Sequence, residues 1–328
     1  MQKINDCFNK VKKDCFRFIL SQETKKDKFK NKDKMIKSFL IPVSFWIAKK
    51  TNKKKPFIIG LAGGQGTGKT TISSILTLIL QKYFKLNVFK VSIDDFYKTR
   101  KQREILSSSK HSLLKTRGVP GTHDVNLILE LFKRVKSKKF KSLQIPKFNK
   151  AIDDRCSKNL WYKLKSKPDV VIFEGWCVGA KFQSAKQMKT PINSLERIHD
   201  RDLKWRTYVN NQLKTKYKTL FKQLNGLLYL KAKNFKLLRN WRLKQERKLK
   251  AQTKNKKNLK IMNNDDVLNF MQTYQRITQQ MFKDTIKNSS IVMNLNDNIN
   301  LNYQSVIPNH DYDINPQYIT YGKGYNIR

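Results

Sequence analysis

The hydrophobic pattern changes period twice between residues 56 and 94. PFIIGLAG at 56–63 is apolar without alternation, which is how a strand buried on both faces of a parallel sheet reads, and Pro56 opens it. TTISSILTLILQKYF at 70–84 then sets Ile72, Ile75, Leu76, Ile79, Leu80 and Tyr83 along one side of a helix that would lie on that sheet. NVFKVSID at 87–94 predicts a second strand. Strand, helix and strand make a βαβ unit with a right-handed crossover, and the second strand is expected beside the first.

Three more apolar runs, PDVVIFEG at 168–175, GLLYLKA at 226–232 and IVMNL at 291–295, complete a mainly parallel five-stranded sheet. The roughly 75 residues before the third run exceed a single crossover, so they predict an inserted cap beside the site, at about 95–165. A helix is expected from Asn264, with Asp265 and Asp266 in its first turn and Val267, Phe270, Met271, Tyr274, Thr278 and Met281 as a core stripe. Residues 1–55 read as a helical extension made of short amphipathic helices, with Cys7, Phe8, Val11, Cys15 and Phe18 on one side. The main domain then runs over 56–300, with a lid at about 233–260, and 301–328 form a tail of scattered aromatics.

Composition narrows this picture. With 39% hydrophobic residues in 328, the chain can bury a real core, which excludes wholesale disorder and a collagen repeat. The apolar stretch SFLIPVSFWIA at 38–48 is too short to span a bilayer, and the first twenty residues offer no signal-peptide core. Four cysteines without CxxC spacing fit reduced thiols in a cytoplasmic chain. The formal charge is +46, from 70 Lys and Arg against 24 Asp and Glu. Lysines are spread along the whole chain rather than gathered in a stripe, so no specific nucleic-acid partner is read from them. The charge is either compositional or a field that draws in anionic small molecules.

GGQGTGKT at 63–70 fits GxxxxGK[ST], and five of the chain's twelve glycines (Gly60, Gly63, Gly64, Gly66 and Gly68) crowd between the first strand and its helix. Backbone N–H groups must turn inward around phosphate oxygens there, at distances a Cβ would obstruct. Gly63, Gly64, Gln65, Gly66, Thr67, Gly68, Lys69, Thr70 and Thr71 are the candidate ATP contacts. Lys69 would reach the β and γ phosphates and Thr70 would ligate Mg²⁺. Together with the strand pattern this predicts an α/β protein with a three-layer αβα P-loop NTPase fold.

The acceptor side rests on other residues. Asp94 and Asp95 end the second strand, where open α/β sheets hold ligands. Asp94 is the candidate general base, with Tyr97 nearby as an acceptor contact, and Asp95 reads more readily as a turn carboxylate. Glu174 closes VVIFEG and would face the metal. RGVPGTHD offers Arg117, His123 and Asp124, and PKFNKAIDDR offers Lys147, Lys150, Asp154 and Arg155. Arg117 and Arg155 suit a substrate carboxylate, and Asp124 suits substrate hydroxyls. Arg239 and Arg242 fall in the predicted lid, with Arg242 the candidate to close over the phosphates.

The series GGQGTGKTT, SIDDFYKT, RGVPGTHD, PKFNKAIDD, VVIFEGWCVGAKF, PINSLE, WRTYVNNQL and NWRLKQE, in that order over about 40–295, resembles the plant and cyanobacterial type of D-glycerate 3-kinase. That family belongs to the P-loop kinases that include phosphoribulokinase, uridine kinase and pantothenate kinase. The resemblance implies transfer of the ATP γ-phosphoryl group to the 3-hydroxyl of D-glycerate with Mg²⁺, the step that closes glycolate salvage in photorespiration. It also implies phosphate and metal roles for Lys69 and Thr70, a catalytic role for Asp94, and a metal-side role for Glu174. Arg117, His123 and Asp124 would fall in the acceptor loop and Arg242 in the lid. The PKFNK segment departs from the family pattern at Phe148 and Asn149, where an aromatic with a hydroxyl and an Asp are expected. Two alternatives stand beside this reading: a related kinase acting on pantothenate or uridine, and a nucleic-acid-stimulated NTPase.

Overall fold

Consecutive residues of a strand face opposite sides of its sheet, and in the two innermost strands of this protein both sides are buried. The computed structural model describes residues 2–23, 28–52, 54–252 and 262–296, with side chains described except at 248–252. The sheet contains β1 (Phe57–Gly63), β2 (Val88–Ser92), β3 (Val170–Gly175), β4 (Gly226–Ala232) and β5 (Ile291–Leu295), in the spatial order β2-β3-β1-β4-β5 with every pairing parallel. Phe57, Ile59 and Leu61 enter one core, and Ile58 and Ala62 enter the other. Each aliphatic side chain so buried contributes about 1.5–3 kcal/mol.

One core is covered by α1 (Gln2–Gln22), α2 (Ile41–Lys50) and α3 (Lys69–Lys82). The expected helices of the extension are present, the first of them long: Gln2–Gln22 buries Cys7, Phe8, Val11, Cys15 and Ile19, and further helical segments span 32–50. Ile19 takes the place expected of Phe18, which is only partly buried. The other core is covered by α5 (Val125–Lys136) and α6 (Lys204–Gln212), while α4 (Arg100–Ser109) packs only Leu106 against its edge. The long segment between β2 and β3 is therefore a crossover helix, α5, with excursions on either side. One excursion carries α4, and the other carries two short antiparallel ribbons, Leu143–Ile145 with Tyr162–Leu164 and Phe148–Asn149 with Asp154–Arg155.

After β4 comes α7 (Phe235–Gln252), and before β5 comes α8 (Asn264–Asn288), whose first turn is closed by reciprocal bonds between Asn263 and Asp266. Helix α8 serves both cores: Val267 and Met271 enter the first, and Tyr274, Ile277 and Met281 the second. The predicted lid lies partly in α7, and its residues 253–260 fall outside the described residues, as does the predicted tail. Among the described residues no helix is long and apolar enough to cross a membrane.

One sequence expectation is corrected. β2 is not beside β1: β3 lies between them and makes β2 an edge strand. Asp94 nevertheless reaches the centre because the chain leaves β2 in a 3₁₀ turn, Ile93–Phe96, that folds over the end of β3. The close approach needs Gly175, since a Cβ there would come within 2.5 Å of Ile93 Cγ2.

Candidate active site

At the carboxyl ends of β1, β2 and β3 opens a cleft of about 1110 Å³, where open α/β sheets bind ligands. Its cations are Lys28, Lys30, Lys69, Arg117, Lys150, Arg242 and Lys244, and its acids are Asp94, Asp95 and Glu174, so the cleft is electropositive with a small acidic centre.

Gly63 ends β1 and the chain then wraps back on itself. Gly66 and Gly68 take positive φ (79° and 80°), and a Cβ on Gly66 would meet Trp241 Cβ at 2.8 Å, so α7 packs directly on the loop. The Thr67 hydroxyl donates to Gly64 O at 2.8 Å. Lys69 folds over the loop and donates to Gly63 O at 2.7 Å and Gly64 O at 2.8 Å. Burial lowers its ammonium to about 8, against the pull of Glu174 and Asp94. Thr70 donates to Glu174 Oε1 at 3.1 Å, and Ser73 donates to Oε2 at 2.7 Å. Ser73 was absent from the sequence reading, although its place one turn after Thr70 would have revealed it.

Across the cleft, Asp94 Oδ2 accepts from Lys150 Nζ at 2.7 Å. Burial disfavours ionisation of Asp94, but the charge and hydrogen bond of Lys150 outweigh it and hold the carboxyl at about 2. Burial raises the neighbouring Asp95 to about 6, with the Asp94 charge adding to the effect and backbone N–H bonds from Phe148 and Ser92 opposing it. Tyr97 lines the cleft, and burial pushes its hydroxyl well above the ordinary range.

Arg117 also lines the cleft, but its guanidinium is ion-paired to Asp153 at the tip of the Phe148–Asn149 and Asp154–Arg155 ribbon. The buried Arg103 grips the same tip through Asp153 O at 2.6 Å and Asp153 Oδ2 at 3.1 Å. Phe148 packs edge-on against Tyr97 at 5.2 Å, under the Arg103 and Arg117 guanidinium groups, while Asn149 Oδ1 accepts from Ala151 N at 2.9 Å to close the turn. The two departures from the family pattern thus shape the ribbon.

The cleft does not gather every sequence candidate. His123, Asp124 and Arg155 are absent from its lining and sit behind Tyr97. His123 stacks on the Tyr97 ring at 4.4 Å with Nδ1 2.6 Å from Tyr217 Oη, and burial lowers it to about 4. Asp124 caps α5 through Leu127 N, and Arg155 donates to Tyr97 O at 2.8 Å and to Asp124 at 3.5 Å. Asp124 and Arg155 hold the 3₁₀ turn and the loop together, while His123 is tied through Nδ1 and its Nε2 is buried without a hydrogen-bond partner. Lys147 sits over the Tyr162 ring instead of in the cleft, and Asp154 accepts from Arg100 N at 2.9 Å.

Arg242 lines the cleft and pairs with Glu246 one turn along α7, its guanidinium over the Phe270 ring. Arg239 does not line the cleft. Sequence reasoning missed Trp176, Trp241, Phe270 and Tyr274, which all face the cleft. The last two belong to the core stripe that periodicity predicts, Tyr274 buried in the second core and Phe270 packed against it, and both border the cleft as well. The PINSLE motif is structural: buried Glu196 accepts from Arg276 of α8 at 2.6 and 2.7 Å and from Arg206 of α6 at 3.4 Å, which fixes the helix that carries Phe270 and Tyr274.

A glycine loop, a hydroxyl–carboxylate pair behind it and an acid facing it across one cleft make a phosphoryl-transfer constellation. Residues 58–207 match the sequence model of the phosphoribulokinase and uridine kinase family. The chain is 30% identical over 201 residues to an uncharacterized kinase of Schizosaccharomyces pombe, mug58, covering 57% of this chain and 69% of that relative. The chain belongs to the phosphoribulokinase and uridine kinase family.

It is thus a P-loop kinase, and its family implies ATP as phosphoryl donor. Other relatives name different acceptors. The chain is 28% identical over 221 residues to the chloroplastic D-glycerate 3-kinase of Arabidopsis thaliana, covering 62% of this chain, and spans about half of that relative's length (46%). It is also 28% identical over 137 residues to a pantothenate kinase of Lacticaseibacillus casei, with 42% of each chain covered. A solved D-glycerate 3-kinase from Cryptococcus neoformans superposes with a TM-score of 0.66 at 24% identity, over 80% of this chain and 94% of that one, which shows a shared fold.

Proposed function

We propose that this kinase phosphorylates a small hydroxy acid, D-glycerate, at its 3-hydroxyl at the expense of ATP. The observation that carries the proposal is the presence, in the cleft beyond the glycine loop, of one ionised carboxylate, Asp94, paired with Lys150, and of a second cationic side chain, Arg117, paired with Asp153. An acceptor that carries both an alcohol and a carboxylate satisfies all three. The matches to a D-glycerate 3-kinase in sequence and to another in fold support the same acceptor.

In the proposed reaction the backbone amides of the loop and Lys69 hold the triphosphate, with Lys69 exchanging two carbonyl partners for phosphate oxygens. Arg117 and Lys150 turn from Asp153 and Asp94 to the acceptor carboxylate, which leaves Asp94 to accept the 3-hydroxyl proton. Arg242 closes over the transferring group. Rate enhancement comes mainly from positioning and charge stabilisation. Thr70 and Glu174 present the hard oxygen donors that suit Mg²⁺, and the Thr70 to Glu174 bond holds both at one place. Mg²⁺ bound there would neutralise phosphate charge. A reducing, cytoplasmic setting is part of this reading, supported by four free thiols, three of them buried.

An ADP-release assay with D-glycerate, L-glycerate, pantothenate, uridine, ribulose 5-phosphate or RNA tests the reading. The expected result is turnover with D-glycerate and a 3-phosphoglycerate product. Faster turnover with pantothenate or uridine, or RNA-stimulated hydrolysis without any acceptor, would replace it.

A further inference from the structure

The cleft has a further contributor, and it lies outside the segment that matches the family, which begins at residue 58. Gln22, Lys28, Phe29 and Lys30, from the end of α1 and the turn after it, line the cleft together with Gln65, Gly66, Gly68 and Thr71 of the glycine loop and Trp241 of α7. The turn is anchored at both ends of its charge pattern. Glu23 pairs with Lys32 at 2.6 Å and accepts from Phe29 N at 2.8 Å, and Asn31 takes a left-handed conformation (φ 54°) that starts the next helix. Phe29 packs on the first core. Lys28 and Lys30, on either side of it, are exposed.

The extension is itself bound to the helix that follows the glycine loop. Cys7, Phe8, Val11, Cys15 and Ile19 are buried in the core that α3 shares, Tyr83 donates to Asp6 at 3.0 Å, and Lys82 pairs with Asp14 at 3.5 Å. The turn thus approaches from the α3 face of the sheet. Tyr97 and Trp176 approach from the opposite face and belong with the second core or its turn. Lys28 and Lys30 therefore enter the cleft from the face that carries α3, and Tyr97 and Trp176 from the other.

We propose that the Lys28-Phe29-Lys30 turn of the amino-terminal extension forms a wall of the nucleotide site, with Lys28 and Lys30 facing the phosphates of ATP. The inference rests on the reading of the cleft as an ATP site and is independent of the acceptor.

The test is calorimetric titration of the full chain with Mg-ATP and, separately, with adenosine, without acceptor. Lys28→Ala with Lys30→Ala is expected to raise the dissociation constant for Mg-ATP by about tenfold, the worth of two partly exposed charge contacts, and to leave that for adenosine within about twofold. Lys28→Arg with Lys30→Arg restores Mg-ATP affinity. Lys3→Ala with Lys13→Ala removes the same charge from exposed positions on α1 and leaves affinity unchanged. Parental Mg-ATP affinity in the first variant, or an equal loss in the α1 control, overturns the proposal. So does a loss shared equally by adenosine, which would assign the turn to the base. A chain that ignores glycerate in the acceptor screen yet loses Mg-ATP affinity on Lys28 and Lys30 replacement keeps this inference and discards only the acceptor.

Discussion

On the nucleotide side of the cleft the groups turned toward a ligand are mostly backbone, held by close packing: Gly66 at positive φ against Trp241, and Lys69 laid over two carbonyls of its own loop. On the acceptor side they are side chains held by ion pairs across an excursion of the chain: Asp94 with Lys150, and Arg117 with Asp153. The first wall is fixed by where the chain has no Cβ, so its geometry is set before any ligand arrives. The second is neutralised internally, and the hydroxy-acid acceptor proposed above would have to compete for each cation. Ion-paired side chains on a ribbon can be exchanged without disturbing the sheet, whereas the loop cannot.

The largest expected effect breaks the nucleotide wall. Lys69→Ala removes the ammonium that meets the phosphates and should lower kcat/KM by roughly 10³- to 10⁵-fold, the range of a single cation on a transferring phosphoryl group, with the far-ultraviolet circular dichroism unchanged. Retained turnover would move the nucleotide elsewhere. Asp94→Asn comes next and acts on the other wall. It should reduce kcat by about 10²- to 10⁴-fold while Mg-ATP affinity stays within a few-fold, a split that separates the two walls.

A smaller effect sharpens the comparison. The Asp94 carboxyl lies at about 2 because Lys150 outweighs its burial. As a group depressed below its ordinary 3.8, it stays ionised, and competent as a base, down to that low value. Lys150→Met leaves burial unopposed by its main partner, so the acid limb of kcat/KM, which reports the free enzyme, should move upward by about one to two pH units, while Lys150→Arg leaves it in place. An unmoved limb in Lys150→Met would mean that Asp94 is not the base.

How much of this was legible in the sequence follows the same divide. The glycine loop and its flanking strand and helix were readable because a backbone-built site needs particular residues at fixed spacing, whereas Thr70 and Glu174 were named one by one and their hydrogen bond, between residues 104 positions apart, was not. The five strands were readable because parallel strands buried on both faces are unbroken apolar runs. Strand order was not, since nothing local in NVFKVSID says that Val170–Gly175 will slip between it and the glycine-loop strand. On the acceptor wall, residue type identified carboxylates and cations but not which ones face the cleft. Asp94 and Arg117 do, whereas Asp124 caps α5 and Arg155 ties the turn to it. The Asp124 cap is local, to Leu127, but the Asp94, Arg117 and Arg155 outcomes depend on contacts between residues 30 to 60 positions apart. That Phe270 and Tyr274 also border the cleft was hidden for a related reason, because an aromatic of a core stripe has the same helical spacing whether or not it borders a cleft as well.

The smallest effect concerns stability and tests whether the acceptor wall is the pH-sensitive one. Burial raises Asp95 to about 6 from 3.8, so between these values the folded chain keeps a proton that the unfolded chain has released, and the resulting stabilisation is lost as pH rises through that window. Burial lowers His123 to about 4 from 6.5, so the unfolded chain takes up a proton first, and stability is lost as pH falls through the overlapping window. The two slopes oppose each other in the parent. His123→Gln should make the dependence of unfolding free energy on pH more negative between 4.5 and 6, and Asp95→Asn more positive, each by at most about 1.4 kcal/mol per pH unit, as urea titrations across that range would show. The lost contact with Tyr217 adds a pH-independent cost of about 1 kcal/mol to the histidine variant, which shifts the curve without changing its slope. Lys69, at about 8, lies above the window, so Lys69→Ala should leave this slope untouched. Parallel curves for all three variants would remove the titrating pair from the acceptor wall and with it the contrast between a wall fixed by packing and a wall set by charge.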